Sequence, residues 1–238
     1  MKIKRYNKKN NYSFCFGPEP VMDLLKTKKE KVLTIVFKES GLKDSGIKKV
    51  VDFVKKKKIP FEINDRLIEK IASKENTYVV GVFEKYECEL QKNSNHIVLV
   101  NPRNPGNLGT ILRNMVAFEF SDIVLISPAV DIFQPSIVRS AMGALFYVNF
   151  KYFQSFEEYR KIYKKNNIYS FMLDGEKEIA DVVFKKPFSL VFGNESKGLE
   201  KSFKNFGESV FIPHSRSVDS LNLSMSVGIA LYVSSKKN

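Results

Sequence analysis

The sequence predicts an α/β protein in two parts, a small N-terminal α/β domain over residues 1–88 and a C-terminal domain over residues 96–238. In both parts, short apolar runs rich in β-branched residues alternate with stretches of helical spacing. In the C-terminal part this alternation is typical of a parallel sheet covered by helices. The polar residues 84–95 separate the two series and are interpreted as a linker. With 43% hydrophobic residues, the 238-residue chain has enough apolar material for a core.

The N-terminal elements follow from the periodicity of apolar residues. Residues 1–11 are polar and basic and predict a mobile arm. Strands are predicted at residues 32–37, 59–63 and 78–83, which are apolar and β-branched. Helices are predicted at residues 44–58, and from an Asn64 cap to about Ser73, because apolar residues recur there at helical spacing.

The C-terminal domain contains five predicted strands with helical stretches between them. The strands lie at residues 97–100, 123–126, 168–172, 188–192 and 210–212. The helical stretches lie around residues 111–118 and 156–163. Residues that follow parallel strands lie at the carboxyl edge of the sheet, where α/β folds bind ligands.

The charge of the chain indicates a polyanionic partner. The net charge is +13 and the pI is about 9.5, so nucleic acid is the first candidate. A basic surface without a partner is the alternative. The unbroken run Lys55, Lys56, Lys57 and Lys58 suits a surface that faces phosphates. It equally suits a solvated helix end, where cations complement the helix dipole.

The inventory of cysteines and histidines argues against a metal site. Cys15 and Cys88 have no ligand spacing and are interpreted as reduced thiols of a cytoplasmic protein. His96 and His214 are far apart in the sequence. No apolar stretch approaches the roughly 18 residues that span a membrane. The basic N-terminus is followed by no apolar segment, so a signal peptide is not expected.

A first polar motif, residues 101–113 (NPRNPGNLGTILR), follows the predicted strand at 97–100. Its glycines permit a tight turn at the start of a helix. Asn104 and Asn107 suit either a ligand or the local backbone as hydrogen-bond partner. Arg113 is the stronger signal, because a cation among apolar helical residues needs a phosphate or carboxylate partner.

A second motif, residues 190–198 (LVFGNESKG), continues a strand into Gly193, Glu195 and Gly198. A glycine directly after a strand lets a ligand approach the backbone N–H and C=O groups. The motif is not a dinucleotide-binding loop, because GxGxxG is absent. Glu195 suits either a substrate contact or a bond to the loop backbone.

A third motif, residues 211–224 (FIPHSRSVDSLNLS), leads into the last helix. Pro213 ends a strand, and Ser220 is predicted to be the N-cap of the helix. The first turn would then present free N–H groups to a ligand. For Asn222 and Ser224 the alternative role is capping and helix packing.

In order and spacing, the three motifs resemble the signature motifs of the SpoU/TrmH family of SPOUT RNA methyltransferases. The matching residues are Asn104, Asn107, Arg113, Gly193, Glu195, Gly198, Ile212, Pro213, Ser220, Leu221, Asn222 and Ser224. Residues 137–146 (IVRSAMGALF), which include Arg139, also resemble the family. The resemblance covers roughly residues 97–235. More faintly, residues 14–83 resemble the ribosomal-protein-like RNA-binding domain that often precedes the catalytic domain.

The resemblance implies a SPOUT domain whose C-terminal segment threads through a loop in a deep trefoil knot. It implies S-adenosylmethionine as cofactor, contacted by Gly193, Ile212 and Leu221, and a homodimer with the site near its interface. The implied reaction is methyl transfer to a ribose 2′-hydroxyl of RNA. The residues implied to shape the site and assist the hydroxyl are Arg113, Asn107, Glu195, Ser220 and Asn222. The expected RNA contacts are Lys55, Lys56, Lys57, Lys58 and Arg139.

Ribosomal RNA is favoured as the substrate, because the N-terminal domain looks like the extension of members that modify ribosomal RNA. There are three alternatives: an enzyme that methylates transfer RNA, a non-catalytic RNA-binding or ribosome-assembly protein, and an unrelated nucleotide-binding α/β protein. Motif three departs from the family pattern at His214, where methionine is more common, and Arg216 follows. His214 either tunes a substrate contact or faces water.

Overall fold

The computed structural model describes residues 3–72, 75–215 and 217–236. The chain forms two compact units, the first from Met1–Tyr86 with Asp131–Tyr147 and the second from Glu87–Val130 with Val148–Asn238. The segment Asp131–Tyr147, which follows a strand of the second unit, therefore packs with the N-terminal residues.

The described residues form eleven strands and seven α-helices. The strands are β1 (Tyr12–Phe16), β2 (Val32–Phe37), β3 (Phe61–Ile63), β4 (Val79–Glu84), β5 (His96–Val100), β6 (Asp122–Ile126), β7 (Asn149–Phe153), β8 (Asn167–Phe171), β9 (Lys177–Glu178), β10 (Phe188–Phe192) and β11 (Glu208–Phe211). The helices are α1 (Pro18–Thr27), α2 (Ser45–Lys56), α3 (Asp65–Ile71), α4 (Pro105–Ala117), α5 (Pro135–Ala141), α6 (Phe156–Ile162) and α7 (Leu223–Lys236).

The first unit is built on a four-stranded sheet in the order β1-β4-β2-β3. The predicted strands β2, β3 and β4 and the predicted helix α2 are confirmed, with Asp44 capping α2 through bonds from Gly46 N and Ile47 N. Helix α3 begins after its predicted Asn64 cap and ends at Ile71, and Ser73 lies outside the described residues. Strand β1 and helices α1 and α5 were not predicted.

The prediction of a mobile arm is wrong for the described part of residues 1–11. Ile3 and Tyr6 pack against the core that contains Phe14 and Val82. The Tyr6 hydroxyl also donates a hydrogen bond to the carboxylate of Asp131. Apolar side chains at positions 3 and 6 therefore hold a segment whose polar composition suggested a solvated arm.

The second unit is built on a seven-stranded parallel sheet in the order β7-β6-β5-β10-β8-β11-β9. All five strands predicted for this domain are confirmed, and β10 has the predicted bounds. Strand β10 inserts between β5 and β8, so the loops after β8, β10 and β11 meet at one carboxyl edge. Helix α7 packs against α4.

No helix of the described residues is long and apolar enough to cross a bilayer. Nor do the described residues contain a group of histidine, cysteine and acidic side chains arranged to hold a metal ion.

At the amino ends of the strands, the fully buried His96 anchors a polar network. Its Nε2–H donates to Ser94 Oγ (3.1 Å) and faces the Gln91 carbonyl, so Nδ1 accepts from the Tyr159 hydroxyl (2.9 Å). Burial lowers the pKa of His96 from 6.5, an effect partly opposed by the Asp122 carboxylate and the Gln91 carbonyl. The folded protein therefore holds this imidazole neutral.

The free energy of unfolding is expected to fall as the pH drops below about 6.5, because the unfolded chain then binds a proton that folded His96 resists. His96→Gln should remove this component of the pH dependence. Urea unfolding between pH 5 and 8 measures it, with exposed His214→Gln as the control. If His96→Gln and the unsubstituted protein gave the same pH slope, His96 would not be the group responsible.

Candidate functional site

A cavity of the second unit opens at the carboxyl edge of its sheet, beside the ends of β8, β10 and β11. Its volume is about 620 Å³. Residues from all three motifs line it, including Asn104, Asn107, Gly193, Glu195, Gly198, Ile212, His214, Ser220, Leu221 and Asn222. The structure thus brings together every predicted catalytic and cofactor-binding residue except Arg113.

The backbone at Gly193 forms one wall of the cavity and leaves no room for a side chain. A Cβ atom at this position would overlap the carbonyl group of Gly198 and the nitrogen of Leu199. Asn194 holds the loop in place, since its Nδ2 donates to the Asn101 carbonyl (2.9 Å) and its carbonyl accepts from Gly198 N (2.8 Å). Gly198 itself has a φ of +67°, which suits glycine.

A chain of amide hydrogen bonds joins the three motifs. Ser224 N–H and Oγ–H both donate to Asn222 Oδ1 (2.9 and 2.7 Å), which leaves Asn222 Nδ2 as the donor to Asn107 Oδ1 (3.0 Å). Asn107 Nδ2 then donates to Glu195 Oε1 (3.1 Å), which also accepts from Asn104 N (3.2 Å). All donors point toward Glu195, so the chain holds its carboxylate in one orientation.

The assignment of Ser220 as the helix N-cap is wrong. Helix α7 begins at Leu223, and Asn222 caps it, accepting from Ser224 N with its side chain and from Ser226 N with its carbonyl. Asn222 is the N-cap instead of Ser220, and its side chain also donates a hydrogen bond to Asn107 on α4. Ser220 is exposed at the cavity and does not belong to the helix.

Arg113 lies outside the cavity lining. It is exposed on α4, on the same stripe as exposed Gly106 and Thr110. Among the described residues its guanidinium has no hydrogen-bond or ion-pair partner, so the phosphate or carboxylate partner expected from the sequence is not found there. The described part of the chain therefore leaves this guanidinium available to a partner from outside.

His214 lines the cavity and is also exposed to solvent. Its Nδ1 donates to the Ile212 carbonyl (2.9 Å), so Nε2 remains available for another contact. Arg216 lies outside the described residues.

The predicted RNA contacts all belong to the first unit. Lys55, Lys56, Lys57 and Lys58 are exposed at the end of α2. Arg139 on α5 is half-buried, with its guanidinium 4.3 Å from the centre of the Phe16 ring. Burial lowers the pKa of this arginine.

Two asparagines that shape the site were missed. Asn114 Nδ2 donates to the Ser224 carbonyl (3.2 Å) and so fixes α7 to α4. Asn194 fixes the loop after β10. Asn114 directly follows the first motif, after Arg113, and Asn194 lies inside the second motif, after Gly193. The signal that could have identified Asn114 is its polar side chain in a helix of mainly apolar residues.

Comparison with known proteins identifies relatives of this chain. A sequence profile of the SpoU rRNA Methylase family matches residues 94–232. An uncharacterized tRNA/rRNA methyltransferase of Synechocystis sp. is 29% identical over 57% of this chain, and the chain covers only about half (51%) of that relative. The 23S rRNA (guanosine(2553)-2′-O)-methyltransferase RlmP of Bacillus subtilis is 22% identical, with 87% of this chain and 92% of that protein covered.

A solved structure agrees with the fold over almost the whole chain. The AdoMet-bound rRNA methyltransferase from Sinorhizobium meliloti is 26% identical and has a TM-score of 0.79, with 95% of this chain and 87% of that chain covered.

Proposed function

Because this chain belongs to the SpoU rRNA methylase family, we propose that it methylates a ribose 2′-hydroxyl of RNA with S-adenosylmethionine as the donor. The observation that carries the proposal is the meeting of three sequence motifs, separated by up to about a hundred residues, around one cavity. Ribosomal RNA is the favoured substrate class, since the relative RlmP bears the name of a 23S rRNA 2′-O-methyltransferase. Such a substrate implies a cytoplasmic location.

The residues of the cavity fit an adenosine-bearing cofactor. The cavity has the size range of small-molecule sites and combines apolar walls, such as Phe192 and Val210, with a few amide groups. The absent side chain at Gly193 lets the backbone of Gly198 and Leu199 pack directly against it, which shapes the loop that lines the cavity. We assign Gly193, Ile212 and Leu221 as the cofactor contacts. When bound, S-adenosylmethionine supplies a methyl group already activated on a sulfonium.

The protein residues then orient the ribose. Glu195 Oε1 is occupied by Asn107 and Asn104, whereas Oε2 has no partner among the described residues and is available to accept from a ribose hydroxyl. Asn222 holds Asn107 in this orientation, and exposed Ser220 offers a hydroxyl at the mouth of the cavity. Positioning of this kind is the main requirement, because the methyl donor needs no further activation.

Arg113 is assigned to act on the attacking hydroxyl together with an RNA phosphate: the phosphate accepts the hydroxyl proton, and the guanidinium stabilises the negative charge that develops on the oxygen. An arginine is an unsuitable proton acceptor, because its guanidinium has no free lone pair at neutral pH. A cation near the developing alkoxide lowers the barrier electrostatically.

We also propose a homodimer that completes the site. Exposed apolar side chains of α4 and α7, among them Val116, Met225 and Tyr232, flank the stretch that carries Arg113. Pairing of these helices between two copies would cover the apolar face. Light scattering of the purified chain should give twice the 27.3 kDa mass of one chain; a mass of one chain would exclude the dimer.

For the segment between β11 and α7 we propose the trefoil knot of the family. Both this segment and the Gly193–Leu199 loop line the same cavity, as expected if one passes through the other. An experimental chain trace tests it.

The first unit is assigned to RNA binding through Lys55, Lys56, Lys57, Lys58 and Arg139. Replacing the four lysines by glutamine should weaken RNA binding and reduce its salt dependence by roughly 0.7 to 0.9 in log–log slope for each phosphate that is no longer neutralised. Filter binding between 50 and roughly 300 mM salt measures the slope. An unchanged salt slope would show that these four lysines do not contact RNA phosphates.

Mapping of 2′-O-methyl groups in total RNA, from cells with and without the gene, tests the function. Loss of one mark in ribosomal RNA is expected, and loss of a mark in transfer RNA would reassign the substrate. If all marks persisted while the gene was expressed, a non-catalytic RNA-binding role would replace the proposal.

A further inference from the structure

Five lysines gather at the amino edge of the seven-stranded sheet, opposite the cavity. This amino-edge cluster consists of Lys92, Lys164, Lys165, Lys185 and Lys186, all of them exposed. They lie in the segments that lead into β5, β8 and β10, and these three strands are parallel neighbours with β10 in the middle. The topology therefore brings lysines from three separate parts of the sequence together.

Asparagine side chains tie the three segments to one another. Asn166 Nδ2 donates to the Ser94 carbonyl (3.0 Å), and Asn95 Oδ1 accepts from Phe188 N (3.1 Å). Asn167 Nδ2 donates to the Lys185 carbonyl (2.8 Å). The backbone that carries the lysines is thus held in place before any partner binds.

The positive charge of this edge is not neutralised locally. In the part of the chain that the structure describes, none of the five ammonium groups forms an ion pair. Residues 91–95, 163–167 and 183–187 contain no acidic residue. The carboxylates near them include Asp122, which is buried and accepts from Gln91 N and Ser94 Oγ, the exposed Asp181, and Glu89, which lies near Tyr163 but is paired with Lys151.

We propose that the amino-edge cluster binds the phosphate backbone of the substrate RNA at a distance from the methylated ribose. The inference rests on the proposed function, which supplies an RNA substrate. The five-residue strands separate the cluster from the cavity by about 17 Å, at about 3.3 Å per residue. The ammonium group of a lysine is a point charge on a flexible side chain, so it binds a phosphate without a fixed geometry. Contacts of this kind position the nucleic acid but do not read its sequence. An RNA that reaches both edges must extend beyond the target nucleotide, so a large folded RNA is the expected substrate.

The test compares two variants that each lose four charges. One carries Lys164→Gln, Lys165→Gln, Lys185→Gln and Lys186→Gln. The control carries Lys26→Gln, Lys29→Gln, Lys151→Gln and Lys177→Gln, which are outside the cluster; Lys151 and Lys177 are paired with Glu89 and Glu208. Binding to protein-free ribosomal RNA is titrated with salt, and methylation of the same RNA is assayed with S-adenosylmethionine. Crosslinking of the unsubstituted protein to this RNA, with mapping of the linked peptides, is a readout that needs no variant.

The cluster variant should have a salt slope shallower by at least about 1.5, with crosslinks at Lys164, Lys165, Lys185 or Lys186, while the control stays close to the unsubstituted protein. Equal slopes for the two variants, or crosslinks that avoid these segments, would overturn the proposal. Failure of the proposed function has a different signature, because the unsubstituted protein would then bind RNA without methylating it.

Discussion

Replacing Arg113 by alanine is expected to lower the rate of RNA methylation by a factor on the order of 10² to 10³, the effect of losing one preorganised charge-stabilising group. The affinity for S-adenosylmethionine should change by less than about twofold, because Arg113 does not line the cavity. Single-turnover methylation of ribosomal RNA and calorimetric titration of the cofactor measure the two quantities separately.

The matched control is Arg103→Ala, which removes an exposed arginine ten positions earlier whose Nε donates to Asn101 Oδ1. It should keep most of the activity. Arg113→Lys retains the positive charge but lacks the planar guanidinium group with its paired donors. Its methylation rate should lie between those of Arg113→Ala and the unsubstituted protein. A fully active Arg113→Ala enzyme would leave charge stabilisation to a group from the RNA or from a second copy of the chain. An inactive variant that no longer bound the cofactor would point to a structural role instead.

The sequence was sufficient to predict the parallel sheet and to name residues of three motifs that line one cavity. Strand β10 (FSLVF) has the predicted bounds because it is a mostly apolar run that begins after Lys186-Pro187 and stops at Gly193, so both ends are marked. The residues that follow parallel strands must meet at one edge. For this reason Asn107 and Glu195, 88 positions apart, could be expected together, and they form a hydrogen bond.

Other features depend on contacts that a linear pattern does not contain. Ser220 and Asn222 are both good N-cap residues two positions apart, and the bond from Asn222 to Asn107 decides between them. The described part of the polar segment 1–11 buries only two apolar side chains against the core, Ile3 and Tyr6, which are too few to show a period in the sequence. The apolar sequence neighbours of Arg113 did not indicate which side of the helix this residue occupies, and it lies on the exposed side of α4.

Gly193→Ala is expected to abolish measurable binding of S-adenosylmethionine, with methylation lost as a consequence. The added Cβ would overlap backbone atoms of Gly198 and Leu199, which cannot move aside as a flexible side chain can. The loop that carries Glu195 must therefore shift, and the bonds from Asn104 and Asn107 to its carboxylate would break. Calorimetric titration with the cofactor measures the loss, and thermal unfolding verifies that the variant is folded.

Gly198→Asn is the control in the same loop. Nothing lies within 4 Å of a Cβ atom at position 198, and asparagine tolerates the positive φ of +67°. This variant should bind the cofactor with an affinity within about fivefold of the unsubstituted protein, since the cost of the left-handed conformation, about 1–2 kcal/mol for a non-glycine residue, is paid in the stability of the loop with or without the cofactor. If Gly193→Ala bound as well as Gly198→Asn, the close approach of the backbone at Gly193 would not be what forms the cofactor site. If both variants lost binding equally, the site would require mobility of the whole loop rather than the missing side chain at one position.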